Sequence, residues 1–291
     1  MTPSDLDLPP GEVVAMYPQS SEVLRELSED GVLLVTWNRP ERNNGWTYDL
    51  EDAYFSTLIA AANDVKVRVI VVTGAGKTFC PGRDMQVLEA AAGAKGEGRR
   101  RSRWSMTTPR LVPKPIIMAV NGACAGLGVV QIACADVVFA STSARFTTAF
   151  ARRGLPAENA LSWLLPRLIG TANAMDLLLS ARLIGAAEAR EMGLVNRVIE
   201  PEALLSAALA YAQDLAMNCS PASMAQIKRQ VVADWESGAE QARVGALDLV
   251  AAMSKEADFI EGVASFKERR PPRFPGLSAR LQLLDERNNP S

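Results

Sequence analysis

The chain has 291 residues, of which 48% are hydrophobic and 22% charged, a balance that suits a folded α/β protein and excludes a disordered one. Lys and Arg total 31 against 33 Asp and Glu, and a net charge of −2 gives no global field to draw in nucleic acid or an anionic membrane, so neither is an expected partner. Histidine is absent, which excludes Ser-His-Asp and Cys-His catalysis, HExxH zinc sites and imidazole proton shuttles. The chemistry is left to carboxylates, main-chain dipoles or a cofactor. Cys80, Cys124, Cys134 and Cys219 lack CxxC spacing and read as reduced thiols, so no metal is expected. Residues 1–11 are acidic and Pro-containing, unlike a secretory or organellar leader, and no apolar stretch is long enough to span a bilayer. Both features imply a cytoplasmic protein.

After a short lead, the β-branched run 32–37 follows the Glu29-Asp30-Gly31 turn signal and predicts a strand. Residues 47–63 have helical spacing, with Thr47 as N-cap and Leu50, Tyr54, Leu58 and Ala61 on one face. The Val/Ile run 67–73 reads as a strand buried on both faces, closing on Gly74-Ala75-Gly76. The Gly- and Arg-rich stretch 95–103 reads as a solvated loop; its Arg99–Arg103 run is the one local argument for an RNA contact. A second strand, loop and helix follow at 115–120, 121–124 and 125–135, then a strand at 137–140. This alternation predicts a layered α/β core with crossover connections. Beyond Glu158 the pattern turns helical, at 161–169, 172–179, 186–192, 201–217 and 222–267, with a last strand at 194–198. Arg269-Arg270-Pro271-Pro272 cannot extend a helix and predicts a tail running over the surface.

Two glycine-bearing loops each follow a buried strand: Phe79-Cys80-Pro81-Gly82-Arg83-Asp84 and Asn121-Gly122-Ala123-Cys124-Ala125-Gly126-Leu127-Gly128. Glycine admits close main-chain approach, and free N–H groups at a following helix start can aim at one anion. Either loop alone also reads as an ordinary turn. In order and with their surroundings, they resemble the crotonase, or enoyl-CoA hydratase/isomerase, superfamily. The likeness starts at Trp37-Asn38-Arg39-Pro40-Glu41-Arg42-Asn43-Asn44, similar to that family's LNRPEKLN. It continues in the segment from Val71 to Asp84, which resembles VTGAGRAFCAGAD, and in Asn121-Gly122, Gly126-Leu127-Gly128 and Cys134-Ala135-Asp136. Gly154-Leu155-Pro156-Ala157-Glu158, 163–170 and 189–196 extend it, so that it spans about residues 30 to 270.

The resemblance implies an N-terminal extension (1–20), a ββα spiral core (21–200) and a helical C-terminal region (201–291) that trimerises, giving a homotrimer or hexamer. It implies an acyl-CoA thioester as substrate and no separate cofactor, since coenzyme A arrives with the acyl group. The family's two oxyanion donors fall on the main-chain N–H groups of Arg83 and Leu127. Contacts to the CoA moiety fall on Arg42, Gly45, Cys80, Arg83, Asp84, Met85 and Gly126, with a cationic contribution from Lys267.

The sequence departs from a hydratase where the acid and base should stand. Water addition calls for two glutamates, and the matching positions are Val130 and Phe150, neither able to move a proton. Glu158 offers a replacement: its stretch resembles GLSPEGCSSYTFP of the Δ3,Δ2-enoyl-CoA isomerase branch, whose single glutamate is acid and base. As a plain structural residue, Glu158 would be a cap or first-turn acid on the helix that follows. Its apolar neighbours Phe150, Leu155, Trp163 and Leu164 would otherwise desolvate it. The resulting expectation is isomerisation in preference to hydration, with a non-catalytic acyl-CoA or RNA binder of the same family as the alternative.

Overall fold

The computed structural model describes residues 17–93 and 104–277. The Arg99–Arg103 run, residues 1–16 and the tail beyond 277 lie outside the described residues.

The core begins with β1 (Val23–Leu27), which pairs antiparallel with β2 (Val32–Trp37) across the turn at 28–31. Only Val23 of β1 is buried, as befits an edge strand, and its polar lettering is why it reads as a lead in the sequence. From β2 the sheet runs parallel through β3 (Val69–Gly74), β5 (Ile116–Val120), β7 (Val137–Ser141) and β10 (Arg197–Ile199). Every position of β3 and β5 is buried, which is what unbroken Val/Ile runs predict for strands covered on both faces.

A second, smaller sheet has the order β4 (Thr78–Cys80), β6 (Ala123–Ala125), β8 (Arg145–Thr147) and β9 (Ile184–Gly185). The strands β3 and β4 are followed by α2 (Met85–Gly93), β5 and β6 by α3 (Leu127–Ala133), and β7 and β8 by α4 (Leu161–Ser180). Each ββα unit thus gives its first strand to the large sheet and its second to the small one, and the parallel register advances the chain by one strand per turn. That is the ββα spiral expected from the sequence.

Helix α1 (Tyr48–Asn63) starts where predicted: Thr47 Oγ1 accepts the Leu50 N–H at 3.1 Å, a cap worth about 1 kcal/mol. Its inner face joins an aromatic cluster in which Trp37 meets Trp46 and Tyr54 edge to face, with centroids 5.2 and 5.3 Å apart. The two helices predicted at 161–169 and 172–179 are the halves of α4, interrupted at Gly170, whose φ is +77°. After α5 (Ala186–Glu191), the strand predicted at 194–198 starts three residues later, with Leu194 and Val195 buried in the approach to β10.

Beyond β10 the described residues form helices and a tail. Helix α6 (Leu204–Asn218) lays Leu204, Ala208, Ala212 and Ala216 on Val69, Val71, Ile117 and Phe139, so a small-residue stripe lets it sit close to the large sheet. Three helices follow, α7 (Pro221–Asp234), α8 (Ala239–Met253) and α9 (Ala257–Glu268). No residue of α8 is buried, and Val244, Leu247, Val250, Phe259, Ile260 and Phe266 stand exposed on α8 and α9. The tail turns back as expected from its prolines: Arg68 Nη2 donates to Phe274 O at 2.6 Å, and Leu277 is buried. No helix among the described residues is long and apolar enough to cross a membrane.

Candidate active site

The two glycine loops meet. Gly82 has φ +97°, and a methyl placed on it would lie 3.1 Å from Ala125 O and 3.5 Å from the Leu127 nitrogen. Gly126 has φ +50°, and a methyl there would lie 3.7 Å from the Gly82 Cα. A side chain at Gly82 would press on Ala125 O, and both backbone conformations suit glycine. The parallel pairing of β4 with β6 carries the loops to this seam.

Each loop brings one main-chain N–H that has no acceptor among the described residues. Trp46 and Arg83 form a parallel bridge in which the Trp46 N–H donates to Gly82 O at 2.8 Å and the Asp84 N–H to Trp46 O at 3.1 Å. In such a bridge the N–H of the middle residue, Arg83, points to the opposite side. Leu127 opens α3, and the first N–H groups of a helix have no acceptor within it. Gly126 just before it is already engaged, its N–H donating to Thr147 O at 3.1 Å. Two amides one loop apart, with the positive end of a helix behind one of them, have the donor chemistry that an oxyanion requires.

Charge gathers beside the first loop. Asp84 accepts the Gln86 N–H at 2.9 Å and so caps α2; Arg39 and Arg42 reach its carboxylate at 3.2 and 3.3 Å. Burial alone would raise the Asp84 carboxyl, but the Gln86 N–H and the Arg42 and Arg39 guanidiniums outweigh it and hold it below its ordinary value. A methyl on Gly45 would lie 3.2 Å from Asp84 Oδ2, so Arg42, Gly45 and Asp84 form one packed unit, with Met85 exposed next to it. Arg42 keeps 41% of its side chain exposed.

Three predicted site residues act differently from what their side chains suggest. Cys80 is fully buried and its thiol is pushed up to about 12 by desolvation, so toward the loop it offers main chain only. The Arg83 guanidinium is turned to Glu51 of α1, at 3.1 Å, and stacks 4.9 Å from the Tyr48 ring centroid, so it is not free for a phosphate. Lys267 lies on α9 in a groove whose walls are all C-terminal, among them Ser220, Phe259, Val263, Phe266 and Phe274. Sequence reasoning missed Glu51 and Arg39; the available signal was an acid, Glu51, set between Leu50 and Tyr54 on the buried face of α1.

Glu158 sits in the connection between β8 and α4, half-buried. The chain leaving β8 starts against the second loop, since Thr147 O receives Gly126 N–H and a methyl on Gly126 would come within 3.9 Å of Thr148 O. After Glu158 come two left-handed residues, Asn159 (φ 53°) and Ala160 (φ 60°), and Leu161 N–H donates to Glu158 O at 3.0 Å. Non-glycine residues in this region carry strain that surrounding contacts must hold. Ala160, not Glu158, is the N-cap of α4, and no side chain caps that helix. The reading of Glu158 as a helix cap therefore fails. Of its expected apolar neighbours, Phe150 and Leu164 are buried but Leu155 is 38% exposed, and Trp163 packs against Trp235 with Arg110 and Arg167 over its ring.

The family model for Enoyl-CoA hydratase/isomerase matches residues 28–277. The chain belongs to the enoyl-CoA hydratase/isomerase family. Among curated members, the 1,2-epoxyphenylacetyl-CoA isomerase of Escherichia coli (strain K12) is 32% identical over 254 residues, covering 85% of this chain and 96% of that protein. A protein of Rhodobacter capsulatus named probable enoyl-CoA hydratase is 36% identical over 253 residues, covering 86% and 96%. Among solved structures, an enoyl-CoA hydratase from Polaromonas sp. JS666 superposes with a TM-score of 0.80 at 30% identity, covering 87% of this chain and 99% of its own. The chain is thus an acyl-CoA enzyme of the hydratase/isomerase family.

Proposed function

We propose that the main-chain N–H groups of Arg83 and Leu127 receive the thioester oxygen of a bound enoyl-CoA and that Glu158 moves a proton between two carbons of the acyl group. The observation that supports this reading is the closeness of the two loops: a methyl on Gly82, the residue before Arg83, would lie 3.5 Å from Leu127 N. Glu158, as carboxylate, takes a proton from C2; the electron pair delocalises onto the thioester oxygen, where the amides meet the charge. The protonated Glu158 then returns the proton to C4 as the double bond moves to C2–C3. No water enters, so one carboxylate suffices. Isomerisation is favoured over hydration because Val130 is fully buried and Phe150 is 6% exposed, both apolar, where a hydratase needs its glutamates. The names of the relatives include both activities and do not choose between them.

The CoA moiety is taken up along Arg42, Gly45, the Cys80 main chain, Met85 and Gly126, with Asp84 orienting Arg42. Lys267 would join from α9 once the C-terminal helices are covered in a homotrimer or hexamer, a state that the exposed apolar residues of α8 and α9 support. The test is incubation of the enzyme with 2-enoyl-CoA and with 3-enoyl-CoA in deuterated water, followed by mass. Double-bond transfer with hydrogen exchange and no added oxygen is the expected result. Addition of water would replace the isomerase reading by hydration, and tight binding with neither outcome would make the chain a carrier.

A further inference from the structure

We infer that Glu51 is a positioning residue that sets the direction of the Arg83 N–H, an inference that rests on the oxyanion reading above. Glu51 is 2% exposed, inside the first turns of α1. Its Oε2 accepts two donors: the Trp46 indole N–H at 2.7 Å and Arg83 Nη1 at 3.1 Å. Trp46 is also the residue whose main chain brackets Arg83, through Gly82 O and the Asp84 N–H. The peptide unit bearing the Arg83 N–H is therefore held twice, by the main chain of Trp46 and by its own side chain, and both grips end on one carboxylate oxygen. The Tyr48 ring beneath the guanidinium leaves it little freedom to swing away.

A first-turn acid meant only to complement the helix dipole would do so from the surface. Burying a carboxylate costs several kcal/mol unless it is paired, and an apolar pair of equal volume is often as stable or more so. The ion pair is thus better explained by orientation than by stability. The family motif VTGAGRAFCAGAD carries Ala where Arg83 stands, and an Ala cannot be held by its side chain.

The test uses 3-phenylacryloyl-CoA, whose conjugated absorption band moves to longer wavelength when its carbonyl oxygen is polarised. The wild-type enzyme should shift the band on binding; absence of that shift would defeat the oxyanion reading itself, whatever Glu51 does. Glu51→Gln keeps an acceptor for Trp46 but removes the charge. It should lose most of the shift and lower kcat about tenfold to a hundredfold, with Kd and KM for the thioester within about threefold. Because Glu51→Gln leaves Arg83 unpaired, the neutral pair Glu51→Gln with Arg83→Met is the second variant. It should regain the wild-type melting temperature without regaining the shift. A folded variant of either kind that keeps both the shift and kcat overturns the inference.

Discussion

The two halves of the proposed site are held in opposite ways. At the seam of the loops, Gly82 and Gly126 pack within a methyl's width of facing backbone, Trp46 brackets Arg83, and Asp84 is gripped by two arginines and a helix N-terminus. Glu158 stands in a half-exposed connection, its carbonyl accepting the Leu161 N–H, and is followed by two strained residues. One half is written into the crossing of two sheets; the other is carried by a segment that can change without disturbing either. On the proposed reading, the means of stabilising negative charge on an acyl oxygen belongs to the sheets and the choice of proton carrier to a loop.

The sharpest way to break that contrast is Glu158→Gln. It should lower kcat by about 10²- to 10⁴-fold while leaving the urea midpoint unchanged. Retained turnover would move the proton to another group. Gly82→Ala should damage both properties: about a hundredfold in kcat and about 1–3 kcal/mol in stability, read from turnover and urea unfolding together. Stability loss without loss of kcat would separate the seam from the chemistry. Asp84→Asn should cost about 1–3 kcal/mol at neutral pH, because charge-assisted bonds to Arg39 and Arg42 go. The Asp84 carboxyl is depressed in the folded chain, so its contribution is present above the ordinary carboxylate value and is lost as pH falls below about 4. The difference between wild type and Asp84→Asn should therefore shrink in acid unfolding series and persist at neutral pH. Smallest is Lys267→Ala, which should raise KM for the CoA thioester about threefold, less at high salt, with kcat unchanged.

Much of this was legible in the lettering, for definable reasons. Runs such as Val69–Gly74 announce a strand because branched side chains on both faces have one use, and Thr47 announces a helix start because its hydroxyl can satisfy Leu50 N–H. The two glycine loops were legible because positive φ and close approach leave few alternatives to glycine. The small sheet was not legible: strands of two or three residues such as Ile184–Gly185 are too short to carry a period of two. Edge strand β1 was hidden because only Val23 needs to be apolar. Glu51 was missed because its partner Arg83 is 32 residues away: the place of the acid on the apolar face of α1 hints at burial but does not say what pairs with it. That the Arg83 side chain would turn from the ligand to Glu51 was likewise beyond any reading of spacing.

Because the proposed donors are amide hydrogens, nineteen of the twenty residue types supply them equally, and ordinary scanning mutagenesis is blind to them. Proline alone lacks the group, and at Leu127 the local conformation admits it: the first helical position welcomes a pyrrolidine ring. Gly126, at φ 50° and ψ −113°, is the mirror image of the extended shape that precedes proline. Leu127→Pro thus removes that backbone hydrogen along with the buried leucine side chain, and Leu127→Ala, which keeps the hydrogen, is its control. A cooperative melt retained alongside a catalytic collapse of about 10²- to 10³-fold would be its signature.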